Sequence, residues 1–153
     1  MIPSDRVRRF VLFQRHSVLK DFRDGMTTCL IATTQKRLLL HARQYGWSVE
    51  GLRHIRPSSA LVITKQNSEP ELWVRHRYRG YRGAFLRYLT AYYGIASISR
   101  DWQVDHLHPS ARFTREHEHY FVRLALVERS INSSYGATFE RLLCERERTR
   151  ELT

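Results

Sequence analysis

Cysteine is almost missing from this chain. Cys29 and Cys144 are the only two, too few and too far apart for a zinc ribbon or a redox pair, and both are expected to be buried packing residues. No apolar run is long enough to span a bilayer, and there is no internal repeat, linker or low-complexity stretch. The start, MIPSDRVRRFVLF, lacks the long apolar run and small-residue cleavage site of a secretory signal. The expected location is therefore cytoplasmic, with no membrane partner. Lysine is scarce too: 23 of the 26 basic side chains are arginine.

What is present argues for a folded, basic, single domain. In 153 residues, 42% are apolar and 8 Tyr, 7 Phe and 3 Trp are available for burial, enough to offset ordering entropy without disulfide or metal staples. The net charge of +11 suits a polyanion, with nucleic acid favoured over a membrane surface. Arginine forms forked contacts to phosphate, although a composition this rich in arginine also follows from genome base composition. The charge is uneven. Residues 1–56 carry an excess of +7, residues 57–104 of +4, and residues 105–153 of zero. Grip on a polyanion and chemistry are thus expected from different parts of one domain.

Periodicity predicts a helix over SDRVRRFVLFQRHSVLKDF, with Ser4 or Asp5 as cap and Val7, Phe10, Val11, Val18 and Phe22 inward. TTCLIATTQKRLLLHARQYGW is read as a second helix stopping at Gly46, followed by a short turn at Ser48-Val49-Glu50. ALVITK and ELWVRHR form a predicted hairpin across QNSEP, and GYRGAFLRYLTAYYG a glycine-bounded helix with Phe85, Leu86, Leu89 and Tyr92 or Tyr93 inward. Then come a strand ending at Val104-Asp105-His106, a loop, the strand YFVRLALV and a helix from Ser130 to Ser134 onward. Its tail, CERERTRE, reads as a solvated helical face.

The run Val104-Asp105-His106-Leu107 with Pro109, followed after a strand by Arg129-Ser130 and Asn132, resembles the ββα-metal (HNH) endonuclease family. The closest likeness is to its Asp-His…Asn version, as in the HNH domain of RNA-guided DNA nucleases. The resemblance covers about residues 102–143. It implies that His106 is the general base, that Asp105 and Asn132 ligate a divalent metal, and that Pro109 shapes the loop. The implied fold is α+β: a basic helical and hairpin part over 1–100, a ββα-metal motif over 102–143 and a charged tail over 144–153.

The chemistry suits these residue types. Phosphodiester hydrolysis needs water deprotonated, phosphoryl charge neutralised and a leaving oxygen stabilised; histidine serves the first near neutral pH, and a cation the other two. Mg²⁺ is favoured, with Mn²⁺ or Ni²⁺ as alternatives. The family's middle polar residue has no matching Asn here. His119 in EHEHYF is the first choice for orienting His106, and His117 the second; the same segment also reads as an ordinary solvated loop. Asn132 doubles as a helix cap.

WVRHRYRGYRG is the strongest candidate for nucleic-acid contact. Arg75, Arg77, Arg79 and Arg82 alternate with Tyr78 and Tyr81, and the first three would share a face if the strand runs that far. Gly80 and Gly83 would permit close backbone approach. The competing reading turns the tyrosines into the core. Arg112 and Arg115 are further phosphate contacts. The expected function is metal-dependent cutting of nucleic acid, DNA favoured by the resemblance; the alternative is a non-catalytic nucleic-acid-binding protein with a degenerate motif. A toxin would add an acidic inhibitor protein as partner, and a phage or mobile-element enzyme would not.

Overall fold

The computed structural model describes residues 3–24, 31–107 and 119–129. The first helix, α1 (Pro3–Asp24), begins at a proline, whose missing N–H costs nothing in a first turn. Val7, Phe10 and Val18 are buried along one face with Val11 packed beside them. The next segment departs from expectation. Its helix, α2 (Gln35–Tyr45), is shorter than the periodicity predicts, and a two-residue strand β1 (Ile31–Ala32) precedes it. Thr34 sets the boundary: it is extended, and its hydroxyl accepts the Arg37 N–H at 3.1 Å. Gly46, at φ 69, closes the helix in the left-handed conformation that glycine tolerates best.

Ser48-Val49-Glu50, expected as a turn, belongs to the strand β2 (Ser48–Gly51), paired antiparallel with β3 (Ala60–Thr64). Cross-strand pairing there overrides a weak local preference. The first hundred residues therefore hold four strands instead of one hairpin. The predicted hairpin is present, joining β3 to β4 (Glu71–Arg75). Helix α3 (Tyr81–Tyr93) lies between Gly80 and Gly94 as expected, but buries Ala84, Phe85, Tyr88 and Leu89; Leu86 is half-buried. Strands β5 (Trp102–His106) and β6 (Phe121–Glu128) pair antiparallel, with Asp105 opposite Ala125 and His106 opposite Leu124. The helix expected to follow lies outside the described residues, with Asn132, Cys144, the tail and, earlier in the chain, Cys29.

Strand β6 organises the sheet, whose order is β1-β6-β4-β3-β2 with β5 also on β6. Its first residues pair with β1 and β4, and the rest with β5. Leu107 N–H donates to the Arg123 carbonyl at 2.9 Å and Arg129 N–H to that of Asp101 at 2.7 Å. Counting inward from both, Val104 and Leu126 form a non-hydrogen-bonded pair, so the Leu126 N–H and C=O face away from β5. Gln14 of α1 takes both: its Nε2 donates to the carbonyl at 2.8 Å and its Oε1 accepts the N–H at 2.7 Å. One side chain thus substitutes for a neighbouring strand.

Alternation along the strands separates two cores. Leu72, Val74, Val122, Leu124 and Leu126 join the cluster that includes Phe10 of α1 and Phe85 of α3. Leu61, Ile63, Trp73 and Phe121 pack with Leu38 and Ala42 of α2 on the other face. No helix among the described residues is long and apolar enough to cross a membrane.

On the α2 face lies a buried charge cluster. Glu71, 1% exposed, meets Arg123 Nη1 through Oε2 and Lys65 Nζ through Oε1, both at 3.2 Å, and Oε1 also accepts the Trp73 indole N–H at 2.9 Å. Desolvation alone would push this carboxyl up, but Arg123 and Lys65, helped by the hydrogen bonds from Trp73 and Lys65, outweigh it and hold it below its ordinary value. Removing the carboxylate leaves two cations buried around its place. Glu71→Ala should therefore cost on the order of 3–5 kcal/mol, seen as a large fall in the urea midpoint at unchanged slope. A loss under about 1 kcal/mol would mean that the cluster does not hold the sheet.

Candidate functional site

Strands β1, β4 and β5 are all antiparallel to β6, so all three run in one direction; β1 and β4 finish opposite Phe121, where β6 begins, and β5 finishes opposite Leu124. Helix α2 starts just after β1, and α3 follows β4 through a short connection. Two helix N-termini therefore open at one end of the sheet, and neither has an acidic residue in its first turn to offset the positive end of its dipole. The same end gathers Arg75, His76, Arg77, Arg79 and Arg82 from the β4–α3 connection, Lys36 from α2, and Asp105 and His106 from the end of β5.

This arrangement joins what sequence position separated. The Tyr81 ring lies 4.5 Å from that of His106 between centroids, and the His76 ring lies 5.7 Å from it. The basic connection thus borders His106 directly. Two details of the arginine-rich stretch differ from expectation. The strand stops at Arg75, so Arg77 and Arg79 lie in a turn and do not share its face. Arg77, Arg79 and Arg82 are exposed and Arg75 half-buried, but Tyr78 and Tyr81 pack against the larger core. A Cβ at Gly80 would stand 2.6 Å from Tyr78 Oη, so the glycine makes room for that ring; a Cβ at Gly83 would meet nothing within 4 Å.

His106 is half-buried, with Nε2 shielded from solvent. Loss of hydration, then the neighbouring His76, pushes its pKa down to about 4. It is neutral throughout the physiological range. Asp105, next along β5, is also half-buried and by strand alternation faces the opposite side of the sheet, that of Arg123 and Phe121. His119 is exposed and lines a groove with Arg75, Lys36 and Ser58. The ring contacts of His106 described here are with His76 and Tyr81, which the sequence did not connect to it. The parity of position 76 held a signal, but one readable only once β4 is known to lie beside β6. Arg112, Arg115 and Asn132 lie outside the described residues.

Among the described residues no three His, Cys, Asp or Glu side chains cluster to hold a metal. A hydrated hard cation needs only one or two protein carboxylates, and Asp105 offers one hard oxygen donor, on the face of the sheet opposite His106. Protein-family models, curated proteins and solved structures gave no match to this chain.

The burial of His106 has a pH signature. Its pKa is about 4 when folded against an ordinary 6.5, so the unfolded chain takes up the proton first. The contribution to stability is complete above pH 6.5 and disappears as pH falls through 4. In EDTA, stability should fall by about 1–2 kcal/mol from pH 7 to pH 5 through this group alone. His106→Asn, compared by urea denaturation at both pH values, should lose less over that interval than the parent chain. An identical loss in both would place the effect elsewhere.

Proposed function

We propose that this chain is a metal-dependent endonuclease of the HNH type that hydrolyses phosphodiester bonds in nucleic acid, with DNA the favoured substrate. The observation that carries the reading is the meeting of His106, at the end of a strand antiparallel to β6, with the basic β4–α3 connection. In this reading the phosphodiester lies across the end of β5. Arg77, Arg79 and Arg82 hold neighbouring phosphates, and neutral His106 accepts the proton of the attacking water. A base of pKa about 4 is weak in the free protein, but a phosphodiester monoanion settling beside the ring favours its protonated form and strengthens it. Asp105 and Asn132 would hold the divalent cation, Mg²⁺ by preference. Such an ion supplies charge neutralisation at the phosphoryl oxygens and stabilises the leaving oxygen.

The second reading, nucleic-acid binding without cutting, has its own observation: Tyr81 and His76 close over His106 as neighbours close over a structural histidine. Plasmid DNA incubated with Mg²⁺, Mn²⁺ or Ni²⁺ separates the two. The nuclease reading expects cutting that EDTA stops and that His106→Ala lowers by at least a hundredfold. Salt-sensitive binding with no cutting under any of the three metals would leave the binder.

A further inference from the structure

On the face of the sheet opposite His106 there is an open groove of about 470 Å³. Its walls come from four parts of the chain: Arg75 at the end of β4, Ser58 just before β3, Thr34 and Lys36 at the start of α2, and His119 just before β6. Among the described residues no carboxylate lines it. Arg75 reaches it because strand alternation sends position 75 to the α2 side and position 76 to the His106 side. Among the described residues, no acidic side chain forms a salt bridge with Arg75 or Lys36. A space of this size with a forked cation, a point cation and a hydroxyl suits an anion with several acceptor oxygens. Gln35 and the ring of Phe121 complete the lining, so a cationic rim stands beside an apolar patch.

We propose that this groove is a phosphate-binding subsite, formed by Arg75, Lys36, Ser58 and His119, which holds a backbone phosphate of the nucleic acid whose scissile group lies at Asp105-His106. The inference rests on the reading above for the nucleic acid, but the phosphate site itself does not require cutting. Arg75 and His76 then work as a pair: the last residue of β4 and the one just after it serve the two sides of the sheet end. His119 becomes a phosphate contact instead of the residue that orients His106.

The test is a titration of the whole chain with inorganic phosphate, followed by amide NMR at constant ionic strength against chloride. Saturable shifts confined to Thr34, Lys36, Ser58 and their neighbours are expected, with a dissociation constant in the millimolar range. Arg75→Gln should weaken binding about tenfold and Lys36→Gln severalfold, while Arg87→Gln, exposed on α3 and outside the groove, should change it less than twofold. Preserved peak dispersion in the variants guards against misfolding. Equal losses in Arg75→Gln and Arg87→Gln, or shifts that chloride reproduces, would overturn the site. A DNA dodecamer should displace the bound phosphate; failure to compete would overturn its assignment to a nucleic-acid phosphate. The two proposals fail separately: His106→Ala should abolish cutting and leave the phosphate titration intact, cutting without phosphate binding removes only the groove, and phosphate binding without cutting removes only the nuclease.

Discussion

The carboxylate of Glu71, sealed between Arg123 and Lys65, is the interaction on which the rest of this sheet depends. An arginine on a strand buried on both faces is costly unless its charge is met, and the partner sits across the pairing of β4 with β6. Register follows from this. A slip of one residue would turn Arg123 into the apolar cluster of α1 and α3 and bring Val122 or Leu124 against Glu71. The apolar pattern of FVRLALV is too uniform to set the register by itself, because six consecutive residues of β6 are buried. One charged position in that run supplies the missing discrimination.

Once β6 is held, the geometry of the sheet end has little freedom left. β4 must finish opposite Phe121 and β5 opposite Leu124, which fixes Arg75 and His106 relative to one another. Gln14 closes the remaining length of β6 with a side-chain amide where β4 no longer reaches, so the strand can extend far enough to carry β5. The basic β4–α3 connection and His106 are therefore brought together by backbone pairing. Charge counted along the chain suggested a division of labour; the sheet turns that division into adjacency.

The elements with strong local signals were legible in advance. α1, α3 and the β3–β4 hairpin follow from apolar spacing and from the residues at their ends, such as Gly80 and Gly94. The strands β1 and β2 were not, since Ile31 and Ala32 or Ser48 to Gly51 acquire their structure only from β6 and β3. The same distinction applies at the site. Asp105 and His106 stood out as a motif, because their chemistry is a local property. His76, Tyr81 and the groove residues Lys36, Ser58 and Arg75 did not form one group in the sequence, because what joins them is a shared end of a sheet.

Burial of His106 carries a conflict that bears on mechanism. Packing against Tyr81 and His76 fixes the ring and keeps it in the neutral form that can accept a proton, and both favour a general base. The same desolvation lowers its affinity for that proton, and a pKa of about 4 leaves little driving force at pH 7. A preformed base with these properties works only if the substrate brings negative charge into the pocket, since an adjacent anion stabilises the imidazolium that forms. Two helix N-termini and the arginines of the β4–α3 connection make that end of the sheet attractive to such an anion. In the proposed reading the weakness of His106 is thus compatible with selectivity: the ring would become an effective base where a phosphodiester is bound, because bulk water alone does not provide the charge it needs.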